Sequence, residues 1–218
     1  LSILHLARQK QAARGAPSVF GEPVADGVET RSVAEVVARS MGCKPVFGQD
    51  VTRAAVIRAI RSGPVHFQGH AVQVASDPLQ SHLELTDGTR LTALEIMELS
   101  DVAAPLVSLG ACESAAAVLR GGDEPLGLVP ALLQAGVGAV VASLWRVQDR
   151  DAGIIMAEFH DLLAQQVSPI EALQRAALAH RGRCAAPYHW APFTLHGDPW
   201  TTIGRRLERD FDDRESAP

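Results

Sequence analysis

Apolar positions recur along this chain with two spacings, and each spacing predicts a different kind of element. Short apolar runs bounded by Gly, Pro or polar residues are typical of buried strands, whereas apolar residues three or four positions apart predict helices that lie on a sheet. The predicted strands cover residues 1–7, 45–47, 65–69, 82–86, 107–111, 138–144 and 191–196. The predicted helices cover residues 32–41, 51–60, 92–99, 126–134, 149–165 and 169–181. This alternation implies an α/β fold, in which helices cover both faces of a mostly parallel sheet.

Polar and conformationally special residues predict where several of these elements begin and end. Ser32, with Glu35 three positions later, matches a capping box at a helix start. Asp50 is the predicted cap of the next helix, and Gly136 is a predicted helix stop. The Gly and Pro residues between positions 15 and 27 predict a long loop after the first strand.

Composition narrows the classes of protein that this chain can represent. A length of 218 residues with 47% hydrophobic residues suits one domain with a substantial core. We expect that domain to cover residues 1–204 and the charged stretch 205–218 to be a disordered tail. The formal net charge of −5 argues against a nucleic-acid partner, because nucleic-acid binders concentrate basic residues on one face. Protein or peptide partners are therefore expected.

Cysteine usage and hydropathy predict the compartment. The three cysteines, Cys43, Cys112 and Cys184, are too few and odd in number for a disulfide framework, which favours a reducing environment. The sequence contains neither an apolar run of about 18 residues nor a basic-then-apolar leader, so we expect no membrane contact and a cytoplasmic location. The chain begins directly in an apolar segment, which predicts a piece of a longer protein.

Two predicted strands close on residues that can carry out chemistry. The run that begins at Val65 ends at His70, and the run that begins at Leu106 ends at Cys112. Because the carboxyl ends of parallel strands meet at one edge of a sheet, both side chains are expected at one site. A thiol is mostly protonated at neutral pH, and a nearby imidazole that takes its proton produces the nucleophilic thiolate. The pattern favours a Cys-His dyad, although a small buried thiol is the commoner use of a lone cysteine.

Short motifs across nearly the whole chain carry a family resemblance. They are HFQGH at 66–70, LTDG at 85–88, ACES at 111–114, GLVPALL at 127–133, ASLWRVQD at 142–149 and WAPFTLHGD at 190–198. In this order they resemble the CHAT family of caspase-like peptidases and, more distantly, separase. His70 precedes Cys112 by 42 residues, whereas caspases place their His about 50 residues upstream of the Cys. The chain departs from the family at Ala71, where Gly usually follows the dyad His, and at Gly110, where Ser is commoner.

The resemblance implies a caspase-like fold and assigns roles to individual residues. In family terms His70 is the base and Cys112 is the nucleophile. The backbone N–H groups of Ala71 and Cys112 are the candidate oxyanion donors, and a backbone donor works with any side chain. Alanine at position 71 is therefore acceptable unless the loop requires a positive φ, where it would be strained.

Acidic residues near the expected site suggest a specificity pocket. Separase has a stretch similar to the one that begins at Trp145, near its substrate pocket, and the resemblance implies that acids here face a basic substrate side chain. Asp149 and Asp151 follow Trp145, but an N-cap carboxylate is the commoner use of Asp at a strand-to-helix junction. We favour Asp149 as the pocket acid and Asp151 as the helix cap. Glu113 and Asp123 are the other acids that could line the cleft.

The remaining histidine and cysteine candidates have simpler interpretations. On a strand, His66 and His70 are roughly 13 Å apart, too far to share one metal ion. We therefore expect His66 to be a buried, hydrogen-bonded core residue. Cys43 and Cys184 lack ligand spacing and are interpreted as structural or incidental, so no metal and no cofactor is expected.

The function we infer at this point is a cysteine endopeptidase that cleaves protein substrates through the dyad. Regulation is expected from a repeat or sensor module located upstream, in the same chain or a partner chain. One alternative is a catalytically silent CHAT scaffold that only binds protein partners. A second is a thiol enzyme of another kind, such as an acyltransferase.

Overall fold

A mostly parallel sheet forms the centre of the molecule, as the sequence predicts. The computed structural model describes residues 15–21, 28–86, 88–110, 118–120 and 124–203. The sheet strands are β1 (Ser18–Gly21), β2 (Pro45–Phe47), β3 (Val65–Gln68), β7 (Leu106–Gly110), β10 (Ala139–Ser143) and β11 (Phe193–Gly197). The order of these described strands is β11-β10-β7-β3-β1-β2, and among them the β10–β11 pair is antiparallel and the other pairs are parallel.

Helices cover both faces of this sheet. In the described residues they are α1 (Val28–Ser40), α2 (Arg53–Ser62), α3 (Ala93–Met97), α4 (Leu128–Ala135), α5 (Asp149–Ala164), α6 (Pro169–Arg181) and α7 (Pro187–Trp190). Buried residues of α2, α3 and α4 form one apolar cluster, and those of α1, α5 and α6 form the other. In β10, Val140 belongs to the first cluster and Val141 to the second, because successive strand residues point to opposite faces. The predicted fold class is confirmed.

Two small antiparallel sheets accompany the central one. The first contains β4 (Ala71–Val72), β5 (His82–Glu84) and β6 (Arg90–Thr92), in that order. The second is the pair β8 (Val118–Arg120) and β9 (Glu124–Leu126). The first small sheet begins directly after His70, so the chain leaves β3 and enters a hairpin at the edge where the candidate dyad is expected.

Several predicted boundaries are confirmed. The helix predicted over 92–99 is α3, and Thr92 caps it with a full capping box, in which the Thr92 hydroxyl accepts the N–H of Glu95 and the Glu95 carboxylate accepts the N–H of Thr92. Gly136 ends α4 in the left-handed region, with φ of 109°. The helix predicted over 149–165 is α5, and the helix that follows Ser168 is α6.

Other predicted boundaries are wrong. The predicted loop contains β1, an interior strand of the sheet. Helix α1 begins before Ser32, so Ser32 is not its cap. The cap of α2 is Thr52, whose hydroxyl accepts the N–H of Ala55 at 3.2 Å, whereas Asp50 ends a short 3₁₀ turn. The strand predicted over 1–7 and the tail over 205–218 lie outside the described residues.

Within the part of the chain that the structure describes, no helix is both long enough and apolar enough to cross a bilayer.

Candidate active site

The candidate dyad follows two neighbouring parallel strands that leave the sheet at the same level. Strands β3 and β7 pair in register from Val65 opposite Val107 to Gln68 opposite Gly110. His70 lies two residues beyond Gln68, and Cys112 follows Gly110 by the same number in the sequence. Cys112 lies outside the described residues. The register therefore brings the carboxyl ends of β3 and β7 to a common edge of the sheet.

His70 lies on the surface at the junction between the central sheet and the first hairpin. Its carbonyl accepts the backbone N–H of Glu84 at 3.0 Å, which anchors the turn to β5. Ala71 then begins β4 and pairs with Leu83. The described non-glycine residues with positive φ are Asp101 and Gln166, so Ala71 adopts an ordinary conformation. Alanine in place of the family's glycine causes no backbone strain here.

A buried polar network lies on the α5 face of β3 and β7. His66 Nε2–H donates to Gln68 Oε1 at 3.2 Å, and His66 Nδ1 is hydrogen-bonded to Ser108 Oγ at 2.9 Å. Ser108 Oγ is also 2.9 Å from His160 Nε2 on α5. The prediction that His66 is a buried, hydrogen-bonded core residue is confirmed. Ser108 and His160 were not singled out by the sequence pattern.

Burial keeps both histidines of this network neutral. Desolvation lowers the pKa of His66 to about 4, against the smaller opposite effect of the hydrogen bond to Gln68. Burial, and then the charge of His66, lower the pKa of His160 well below its usual value. At neutral pH the two imidazoles, the hydroxyl and the amide therefore form an uncharged chain of hydrogen bonds.

The segment between β10 and α5 is braced by α7. Ser143 Oγ donates to the carbonyl of Trp145. The Trp145 Nε1–H donates to the carbonyl of Tyr188 at 3.2 Å, and the Tyr188 hydroxyl donates to the carbonyl of Arg146 at 2.8 Å. Each segment therefore donates one hydrogen bond to the other, and together these bonds hold the half-buried Trp145 near the start of α5.

The structure separates the environments of the two acids that follow Trp145. Asp149 is exposed at the first position of α5 and borders a shallow groove between α5 and α1. Asp151 is buried, and its two oxygens accept hydrogen bonds from His180 Nε2 at 2.9 Å and His189 Nδ1 at 2.6 Å. The start of α5 has no side-chain cap, so the prediction that Asp151 caps the helix is wrong. Glu113 and Asp123 lie outside the described residues.

The hydrogen bonds to Asp151 decide its charge. Burial raises the pKa of this carboxyl, but the hydrogen bonds and charges of His189 and His180 outweigh it, so the pKa lies below its usual value. Asp151 is an ionised acid held inside the protein. Its partners are 29 and 38 residues away along the chain, and no local sequence pattern connects them.

Solved structures share this architecture. Gingipain R, an Arg-specific cysteine proteinase, matches 92% of this chain and 52% of its own, with 13% identity and a TM-score of 0.65. The complex of pro- and mature domains of RgpB from Porphyromonas gingivalis matches 92% and 53%, with 12% identity and a TM-score of 0.63. Separase of Saccharomyces cerevisiae, in complex with securin, matches 89% and 13%, with 17% identity and a TM-score of 0.59. These likenesses define the fold as that of caspase-like cysteine proteases.

The family follows from a second comparison. The chain matches the CHAT domain family over residues 3–198, and it belongs to that family. No curated protein matches it. The chain spans about half the length of the gingipain chains and 13% of the separase chain.

Proposed function

We propose that this chain is a cysteine endopeptidase that cleaves protein substrates through His70 and Cys112. The observation that carries the proposal is the register of β3 and β7, because its last pair, Gln68 and Gly110, precedes the two residues by the same distance in the sequence. Membership of the CHAT family and the cysteine-protease fold support the same assignment. The two reacting groups are the types that this chemistry requires.

The proposed reaction has two steps. His70 takes the proton of the Cys112 thiol, and the sulfur attacks the carbonyl carbon of the scissile peptide bond. The N–H groups of Ala71 and Cys112 stabilise the oxyanion. His70 then gives its proton to the leaving amine, and water hydrolyses the thioester to release the acid and restore the thiol. The unstrained Ala71 is compatible with a donor at this position.

The dyad assignment is tested by two substitutions in the full-length protein. Cys112→Ala and His70→Ala should each reduce turnover of a peptide library by several orders of magnitude, since nucleophile and base act as one unit. The melting temperature should change little for His70→Ala, because this side chain is exposed. Cys43→Ser is the matched control and should keep wild-type activity.

A covalent thiol probe separates the enzyme from a silent scaffold. An acyloxymethylketone peptide should label the wild type and the Cys43→Ser variant but not Cys112→Ala. Wild-type protein that is folded and remains unlabelled, or near-normal activity in either dyad variant, would refute the proposal.

We further propose that the pocket for the residue before the scissile bond accepts Arg or Lys through Asp149. Asp149 is exposed at the first position of α5, the helix that follows β10, and the Asp151 carboxylate already has two histidine partners. The gingipain R neighbour is an Arg-specific proteinase, which fits a basic side chain here. Trp145, Glu113 and Asp123 would form other walls of the cleft. A guanidinium bound bidentately by a carboxylate discriminates strongly against apolar side chains.

A peptide library varied at that position tests the pocket. Asp149→Asn should lower kcat/KM for Arg substrates by about 10-fold to 100-fold and leave the rate on an apolar residue unchanged, since only the charged partner is lost. Arg150→Gln, at the neighbouring exposed position, is the control. A wild-type preference for acidic or apolar residues would contradict the pocket without affecting the dyad.

Protein partners are proposed to regulate the site. Both the separase and one gingipain neighbour were solved with protein partners, securin and a pro-domain. A repeat or sensor module in the same or a partner chain would complete the loops around the cleft, as conformational steps often do. The present chain should therefore turn over more slowly than the same chain joined to its module, and equal rates would contradict this.

A further inference from the structure

A second cluster of reactive side chains lies where α5 begins and α6 ends. It contains Asp151 in the first turn of α5, His180 in the last turn of α6, and Cys184 four residues after His180. One imidazole nitrogen, the Cys184 Sγ and a carboxylate oxygen of Asp151 all lie within 4.8 Å of one another. Asp151 and His180 are buried, and Cys184 is half-buried.

Two of these donors already lie as close together as two ligands of one ion. His180 Nε2 and Asp151 Oδ1 are 2.9 Å apart and share a hydrogen bond, so an ion between them would replace the shared proton. An imidazole nitrogen is a common metal ligand. Cys184 Sγ completes the set of three neighbouring donors.

We propose that Asp151, His180 and Cys184 bind a divalent transition-metal ion of the zinc class. A thiolate, an imidazole and a carboxylate together are a zinc-type donor set, whereas calcium and magnesium take oxygen ligands. The three donor atoms lie within 4.8 Å of one another. Bond lengths to zinc of about 2.0–2.3 Å require these separations to shrink by about 1 Å when the ion binds. A thiolate and a carboxylate neutralise the charge of the ion.

The carboxylate of this site is already oriented. His189 on α7 donates to the second oxygen of Asp151, so one oxygen is held and the other faces His180. Outer partners of this kind hold metal-binding carboxylates and raise affinity. The fourth tetrahedral position is open to water.

The site joins three elements that support the cleft wall. It connects the start of α5, the end of α6 and the segment before α7, and α7 is the helix that braces Trp145. An ion there would fix the separation of these elements, so its binding should stabilise the fold. Metal binding to the native state raises stability by an amount that grows with the logarithm of the affinity and of the metal concentration. The proposal does not depend on peptidase activity, because neither His70 nor Cys112 belongs to the site.

Cobalt provides the direct measurement. The full chain carrying Cys112→Ala, kept reduced with a non-chelating phosphine, is titrated with Co²⁺ so that the proposed catalytic thiol cannot contribute. We expect a thiolate-to-cobalt charge-transfer band and the strong visible bands of a tetrahedral ion. Adding Cys184→Ser should abolish the charge-transfer band and weaken binding more than about 10-fold, by loss of one ligand. Adding Cys43→Ser instead should leave both unchanged.

Thermal unfolding with Zn²⁺ gives an independent readout. The melting temperature of the Cys112→Ala protein should rise with Zn²⁺, and this rise should disappear with Cys184→Ser or with His180→Asn. The half-buried Cys184 tolerates serine without a cavity, so a folded variant is available even if His180→Asn unfolds. A charge-transfer band that survives Cys184→Ser, or absence of cobalt binding by the reduced Cys112→Ala protein, would overturn the proposal.

Discussion

Gln68 and Gly110 meet across β3 and β7 at the last register pair before the proposed dyad. A Cβ atom at position 110 would lie 2.0 Å from Gln68 Oε1, so the absence of a side chain there makes room for the amide. This explains why the chain can depart from the serine that is commoner in the family at this position. In this space Gln68 Oε1 accepts the hydrogen bond of His66 Nε2.

Gly110→Ala should therefore destabilise the protein by about 1–3 kcal/mol, since an extra methyl group in a packed interior displaces its neighbours. Urea unfolding measures the effect. Gln68→Ala relieves the contact, so the double variant should be less destabilised than the sum of the two single variants. Additive effects would mean that the two side chains do not interact.

At the residue scale, the sequence predicts a reacting group only where the neighbouring residues form a recognisable pattern, such as an apolar run that ends at that group. His70 and Cys112 each end an apolar run, and this made them candidates. Ser108 and His160 are 52 residues apart, and only the folded sheet brings them together. Cys184 was interpreted as lacking ligand spacing, yet His180 precedes it by four positions at a helix end, which is the signal that could have found the cluster.

Helices α1 and α5 pack closely on one face of the sheet. A Cβ atom at Gly153 on α5 would lie 2.4 Å from Val33 Cγ2 on α1, so glycine sets the distance between these helices. Glycine in a helix interior is otherwise unfavourable by roughly 1 kcal/mol relative to alanine. Its presence indicates that close packing outweighs helix propensity at this position.

We expect Gly153→Ala to lower the free energy of unfolding despite its better helix propensity, by about 1–3 kcal/mol from overpacking. Val33→Ala removes the opposing methyl groups, and the double variant should recover part of the loss. Ala157→Gly, one turn further along α5 and bordering the groove between α1 and α5, controls for helix propensity alone. A Gly153→Ala protein more stable than wild type would show that α1 and α5 can separate without cost.

At the element scale, predictions succeed where the chain carries its own boundary signal. Gly136 was predicted as a helix stop and ends α4 in the left-handed region, and the helix predicted over 92–99 carries the capping box of Thr92 and Glu95. Strand β1 has only four residues among Gly and Pro, so nothing local separates it from a loop. Its pairing with β2 and β3 makes it a strand, and that pairing joins distant parts of the chain.

At the scale of the whole molecule, alternation of strands and helices predicts a parallel sheet because the crossovers require it. It does not predict the strand order or the antiparallel β11 at the edge. The same order brings β3, β7 and α5 together, and so creates the buried chain of His66, Ser108 and His160. Because this chain buries two histidines, it makes the stability of the whole protein depend on pH.

The free energy of unfolding should fall as the pH drops below about 6.5. The folded-state pKa of His66 is about 4, below its usual value of 6.5, because burial disfavours the charged form. The unfolded chain therefore binds protons first, and the stabilisation present above pH 6.5 is lost as the pH falls towards 4. The loss is about 1.4 kcal/mol per pH unit for each such histidine, or roughly 3 kcal/mol in total for His66. His160 acts in the same direction.

Urea unfolding of wild type and variants between pH 7.5 and pH 4.5 measures this dependence. His66→Gln should lower stability at pH 7.5 but reduce the slope below pH 6.5 by close to one proton, because glutamine does not titrate. Val65→Ala, a buried apolar change at the neighbouring position of β3, is the matched control and should lower stability by the same amount at every pH. If His66→Gln keeps the full wild-type slope, the pH dependence arises elsewhere, and the neutral hydrogen-bonded chain at the centre of the sheet is not what sets the acid limit of the fold.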